Sequence, residues 1–121
     1  ERLNILFESM GKLMERFTPD EVAFEELFFY NNAKTAIDVA QARGVCVMAA
    51  YRQNRKIFEY TPLQVKQAVT GYGRAEKRQV QLMVKTILNL PDIPKPDDAA
   101  DAVAVAICHA QTINYRNTRK Y

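Results

Sequence analysis

A chain of 121 residues suffices for one compact domain and not for two. Its 48% hydrophobic and 26% charged residues are ordinary for a globular protein, and no apolar run approaches the roughly 20 residues needed to cross a bilayer. The net charge of +3 is unevenly spread: residues 1–51 hold 5 basic and 8 acidic side chains, residues 52–85 hold 8 and 2, and residues 86–121 hold 4 of each. A basic middle beside carboxylate-bearing segments suits a protein that holds a polyanion and performs metal chemistry on it, although solvated helices are often basic too.

The chain opens at Glu1, already inside a helical pattern, which reads as a fragment boundary. Leu3, Leu6, Met10, Leu13, Met14 and Phe17 recur at steps of three and four, one face of an amphipathic helix ended by Thr18, Pro19 and Asp20. Glu21 to Leu27 is short and apolar at its centre, so it reads as a mostly buried strand, with Glu25 as its oddity. The aromatic run Phe28, Phe29, Tyr30 leads out of it. A helix follows from Ala33 to about Arg52, where Gly44 marks close helix packing or a local bend.

Lys56 to Tyr60 is a second short strand, and Pro62 starts a short helix over Leu63–Val69. Thr70 to Gly73 is expected to be a flexible loop. Ala75 to Leu90 is a further helix, with Val80, Met83, Val84, Ile87 and Leu88 as its core stripe. Pro91, Pro94 and Pro96 form a stiff connector. Asp97 or Asp98 caps a final helix that runs to about Ile113, before a frayed basic tail over 114–121. The order is α-β-α-β-α-α-α, an α/β class with only two strands, too few for an ordinary sheet. Cys46 and Cys108 lack a CxxC neighbour and read as buried free thiols of a reducing cytosol.

Three carboxylates carry the chemical interest. Asp98 and Asp101, three apart at a helix start, lie about 60° apart with a rise of about 4.5 Å, so both can reach one cation. The alternative is a cap plus a charge that favours the helix dipole. Glu25, in an otherwise apolar strand, is costly unless compensated, faces solvent at an edge, or pairs with a lysine. Joined to Asp98 and Asp101 it completes a set of hard oxygen ligands for Mg²⁺ or Mn²⁺, the arrangement that hydrolyses phosphodiesters. Phe28 and Tyr72 are core or base-stacking aromatics, and Lys66 and Lys77 are phosphate contacts or solvated charges. His109 lies about 12 Å along the helix from Asp101, too far to share its metal, and reads as structural or surface.

Several strings together resemble the RuvC family of crossover (Holliday) junction endonucleases. These are Val22-Ala23-Phe24-Glu25-Glu26-Leu27-Phe28, Gln41-Ala42-Arg43-Gly44, Phe58-Glu59-Tyr60-Thr61-Pro62 with Val65-Lys66-Gln67, Thr70-Gly71-Tyr72-Gly73, Ala75-Glu76-Lys77 and Asp98-Ala99-Ala100-Asp101-Ala102. The likeness runs in order from Glu1 to His109. It implies an RNase H-like fold, here without the family's N-terminal three-stranded meander, occupying residues 1–113. It also implies a bacterial cytoplasmic homodimer that works with the RuvA–RuvB branch-migration complex and resolves four-way DNA junctions by paired, metal-dependent nicking in recombination and repair.

By the same resemblance, Glu25, Asp98 and Asp101 bind two Mg²⁺ ions, Mn²⁺ being possible. Lys66 and Lys77 act near the scissile phosphate, and Phe28 contacts a base. Tyr72, Arg74 and Arg78 join Phe28, Lys66 and Lys77 as expected DNA contacts. The family's first strand carries a further metal-binding aspartate before a Pro-Gly turn, and nothing ahead of Glu1 in this sequence supplies it. A chain so truncated is expected to be inactive alone. Another RNase H-like nuclease or transposase-type phosphotransferase, or a non-catalytic DNA-binding or dimerisation fragment, are the alternatives.

Overall fold

The three- and four-residue spacing from Leu3 to Phe17 winds into α1 (Arg2–Phe17) in the computed structural model, which describes residues 1–26 and 33–119, with side chains at 1–26 and 34–115. Thr18 closes this helix in the left-handed region at φ 42°, its N–H donating to the Met14 carbonyl. The elements that follow are β1 (Glu21–Glu25), α2 (Ala33–Arg52), β2 (Lys56–Tyr60), α3 (Pro62–Thr70), α4 (Lys77–Ile87) and α5 (Asp97–Arg119). This is the order expected from the sequence. The aromatic run with Phe28 lies outside the described residues. Among the described residues, no helix is long and apolar enough to cross a membrane.

β1 and β2 pair as a two-stranded parallel sheet joined through α2, and the Glu26 N–H extends the pairing to the Tyr60 carbonyl at 2.7 Å. The chain divides into two compact units. The first comprises 1–22 and 28–58, the second 23–27 and 59–121. In the first, α1 packs on α2. Only Met14 of the α1 stripe is buried; Leu3, Leu13 and Phe17 are exposed, because a single neighbouring helix covers only part of such a face. Gly44 does not serve close packing: α2 is continuous past it, and a Cβ there would meet nothing within 4 Å among the described residues.

In the second unit α3, α4 and α5 pack against one another. Ala100, Ala104, Ile107 and Cys108 form a buried stripe at helical spacing on α5, with Val65 and Val69 of α3 and Val80 and Val84 of α4 in the same core. Small side chains on α5 allow the helices to approach closely. The expected α4 stripe is narrower than its sequence suggested, since Met83, Ile87 and Leu88 are exposed. The helix also starts later, at Lys77, because Glu76 and Gln79 form a capping box there. α5 continues to Arg119 rather than ending near Ile113, as nothing in the polar segment breaks it.

Two local devices fix the entry and exit of α3. Thr61 caps its start: the Thr61 hydroxyl accepts from the Gln64 N–H at 3.1 Å, while Gln64 Oε1 accepts from the Thr61 N–H at 2.8 Å. At its end Gly71 takes φ 80°, a conformation glycine adopts without strain. The Thr70 hydroxyl lies 2.8 Å from the Lys66 carbonyl and 3.0 Å from the Tyr72 carbonyl, either of which can take its single proton, and it accepts from the Tyr72 N–H. The expected flexible loop is thus a hydrogen-bonded helix stop. Thr61→Ala is expected to lower stability by about 1 kcal/mol, with Thr61→Ser restoring most of it in urea titrations. An unchanged midpoint for the alanine variant would show that the cap is dispensable.

Candidate active site

The second unit brings together residues from four separate elements. Glu25 ends β1, Lys66 lies mid-way along α3, Lys77 opens α4, and Asp101 stands one turn into α5. With Pro62, Val65, Val80 and Ala104 they line one cleft of about 220 Å³. Its floor is apolar and its rim carries two carboxylates and two ammonium groups.

The charges in this cleft are not balanced pair by pair. Burial, and then the nearby Asp101 charge, push the Glu25 carboxyl above its ordinary range, while Lys66 pulls it back. Lys77 lies 3.4 Å from the Asp97 carboxylate and 3.9 Å from that of Asp101. Asp101 first, then Asp97 and more weakly Asp98, hold the Lys77 ammonium above its usual range, against a small opposing effect of desolvation. The Gln81 side-chain amide donates to Asp97 at 3.3 Å, which steadies the acid from the α4 side. All of these groups are partly or largely open to water, so each pair is weak by itself.

Glu25 and Asp101 therefore share the cleft with Lys66 and Lys77, whereas Asp98 is exposed at the helix start and is not among the lining residues. Among the described residues, no group of three histidine, cysteine or acidic side chains is gathered closely enough to hold a metal ion. A Glu25 carboxyl whose pKa is raised by burial and by the neighbouring Asp101 nonetheless suits a hard divalent cation, because a positive charge there would offset both desolvation and repulsion. Tyr72, Arg74 and Arg78 are exposed on the α3–α4 connection and the first turn of α4.

Two features were not anticipated from the sequence. Asp97, considered only as a helix cap, is the nearest acid to Lys77; it and Asp101 are four apart, and such positions share a helix face. His109, expected to be structural or at the surface, forms a 2.6 Å hydrogen bond through Nδ1 with the Tyr60 hydroxyl, which donates when Nδ1 is unprotonated. The Cys108 thiol, buried as expected, points to the Gln64 carbonyl at 3.7 Å; burial raises the pKa of both this thiol and the half-buried Cys46.

The raised Glu25 pKa carries a pH signature. A carboxyl whose folded pKa lies above its unfolded one contributes stability below the unfolded value, and that contribution is lost as pH rises through the folded value. In chelator at neutral pH, Glu25→Gln is thus expected to melt above the wild type, the gap closing as pH falls toward the ordinary carboxylate range. A lower melting temperature for the glutamine variant at every pH would mean that the fold stabilises the carboxylate instead.

Comparison with known proteins agrees with this architecture. The sequence model of the family described as "Crossover junction endodeoxyribonuclease RuvC" matches residues 1–109. The chain is 59% identical over 115 residues to the protein of that name from Alkaliphilus oremlandii, covering 95% of this chain and 70% of the relative. It is 61% identical over 109 residues to the one from Finegoldia magna, covering 90% of this chain and 66% of the relative. Among solved structures, that of Thermus thermophilus RuvC in complex with Holliday junction substrate matches with a TM-score of 0.85 and 40% identity, covering 90% of this chain and 66% of that one. The chain thus spans about two thirds of the length of the relatives it matches. Shared fold, shared sequence and the same residue span lead to one conclusion: this chain belongs to the RuvC family of crossover junction endodeoxyribonucleases, built on the RNase H-like fold.

Proposed function

We propose that the chain forms most of the catalytic domain of an endonuclease that resolves four-way DNA junctions in recombination and repair. The observation that carries this reading is the meeting of Glu25 and Asp101, distant in sequence, with Lys66 and Lys77 around one cleft. The solved relative bound to Holliday junction substrate supports the choice of DNA.

Glu25 and Asp101 would hold a divalent metal ion, Mg²⁺ or Mn²⁺, and Asp98 would join them where two ions are bound. Divalent metal at such a site supplies an activated water and charge relief on the departing oxygen. The rest falls to the protein's own groups. Lys66 tempers the negative potential at Glu25, opposing the burial and the Asp101 charge that raise its pKa. Lys77, largely exposed on the cleft lining, offers its ammonium to a phosphate. Arg74, Arg78 and Tyr72 extend that positive and aromatic surface along the duplex, and Phe28 contacts a base. The apolar floor of Val65, Val80 and Ala104 limits the water that competes for these charges.

Paired nicks on opposed strands require two such sites, hence a homodimer. RuvA–RuvB partnership and a bacterial cytoplasmic setting complete the proposal. The deciding experiment compares a synthetic four-way junction with linear duplex of the same sequence, using the chain extended by a relative's N-terminal strands. Selective nicking of the junction is expected. Equal cutting of both DNAs would favour a general RNase H-like nuclease, and junction binding without cutting in Mg²⁺ would favour a non-catalytic role.

A further inference from the structure

We infer that Tyr60 is a positioning residue for the cleft: it ties the strand end that carries Glu25 to the helix that carries Asp101. The inference rests on reading that cleft as a metal-dependent hydrolytic site.

Tyr60 is buried, 6% exposed, at the last position of β2. Its carbonyl accepts the Glu26 N–H at 2.7 Å, so the peptide immediately after Glu25 is bound to Tyr60 itself. Its side chain reaches α5, where the hydroxyl and His109 Nδ1 are 2.6 Å apart and the rings lie 5.6 Å apart at 57°. The next residue, Thr61, caps α3, which carries Lys66. One residue therefore joins the mounts of Glu25, Lys66 and Asp101.

These acids repel each other, and Asp101 is one of the causes of the raised Glu25 pKa. Repulsion pushes their mounts apart unless something opposes it. Core packing of alanines and valines on α5 resists separation but only weakly resists sliding along the helix axis, because small apolar surfaces have no directional preference. A short hydrogen bond in a mostly buried place is directional. His109 is about 12 Å along α5 from Asp101 on the rigid helix, so anchoring it fixes Asp101 axially. The bond is made far enough from the cleft to leave both carboxylates free for a cation.

The test measures Mn²⁺ affinity of the 121-residue chain by electron paramagnetic resonance of free Mn²⁺, well below the melting temperature. Tyr60→Phe keeps the ring and removes the hydroxyl, and His109→Leu removes its partner. Each is expected to weaken Mn²⁺ binding roughly 5-fold, less than the 10–100-fold loss typical of partners bonded directly to a ligand. The double variant should be no weaker than either single one, as expected for two halves of one interaction. His109→Asn, which keeps a polar atom at the δ position, should bind nearly as the wild type does. Val84→Ala, which opens the fully buried core, should lower the melting temperature without changing Mn²⁺ affinity. Tyr60→Phe and His109→Leu behaving like Val84→Ala would overturn the positioning role while leaving the cleft reading intact. Absence of saturable Mn²⁺ binding, or binding indifferent to Glu25→Gln and Asp101→Asn, would remove both.

Discussion

In the chain extended by a relative's N-terminal strands, Asp101→Asn is expected to reduce junction nicking by on the order of 100-fold or more, while junction binding in Ca²⁺ or chelator stays within a few-fold of the unsubstituted extended chain. The magnitude follows from position. Loss of an outer partner of a metal ligand already costs about 10–100-fold, and a carboxylate inside the cleft does not act at second hand. Asparagine keeps the shape and removes the charge, so the core contacts of Ala100 and Ala104 beside it are preserved. The substitution also removes a repulsive neighbour of Glu25 and a partner of Lys77, two changes that leave the fold intact. Glu25→Gln should show the same loss of nicking. Nicking by Asp101→Asn within tenfold of the unsubstituted extended chain, on a mobile junction in Mg²⁺, would exclude Asp101 from the chemistry.

Residues 1–121 by themselves are expected not to nick junctions, whereas the same chain preceded by the first strands of a family member nicks readily. On the proposed reading a further metal-binding aspartate comes from a strand ahead of Glu1. The cleft itself contains only two carboxylates, and no trio of potential ligands is gathered among the described residues. A cation held by two acids has more freedom than one held by three or four, and displacement of about 1 Å can cost on the order of 100-fold in rate. A second deficit reinforces the first. Leu3, Ile5, Leu13 and Phe17 on α1 and Ile37 and Met48 on α2 are exposed, apolar side chains of the kind that favour unspecific association. Side-by-side nicking assays with light scattering separate the two deficits. Robust cutting by the short chain, monodisperse in solution, would show that the additional aspartate is dispensable.

Local signals in this sequence were read with ease. Pro62 behind Thr61 announced the start of α3, the Ala33 and Arg52 limits of α2 followed from composition, and Glu25 stood out because a charge in an apolar strand requires an explanation. What the sequence concealed depends on contacts between distant segments. Tyr60 and His109 are separated by 49 positions, and no periodicity links them. The acidic group at the start of α5 shows the limit most clearly. Spacing offered Asp98 with Asp101 as one metal-binding pair, three apart, and the contacts of Lys77 add Asp97 to that group. The side chains that meet Lys77 are Asp97 and Asp101, four apart, because α5 begins at Asp97 and sets which face looks toward α4. One residue of phase at a helix start redirects a carboxylate by about 100°. Gly44 misled for the opposite reason: a glycine invites a steric explanation, and its site is open.

The contacts of Lys77 bear on how tightly the cleft grips DNA in salt. A lysine surrounded only by water contributes to affinity largely through the entropy of cations that DNA sheds when the lysine replaces them. Lys77 has its own anions, Asp97 and Asp101, before DNA arrives. A phosphate that captures it exchanges one anionic partner for another, and the two aspartates left behind attract cations from solution. Ion release at one end is then offset by ion uptake at the other. On the proposed reading, affinity at this point of the surface would vary less with ionic strength than at a lysine without such partners, and the released aspartates would leave negative charge beside the cleft that attracts divalent cations.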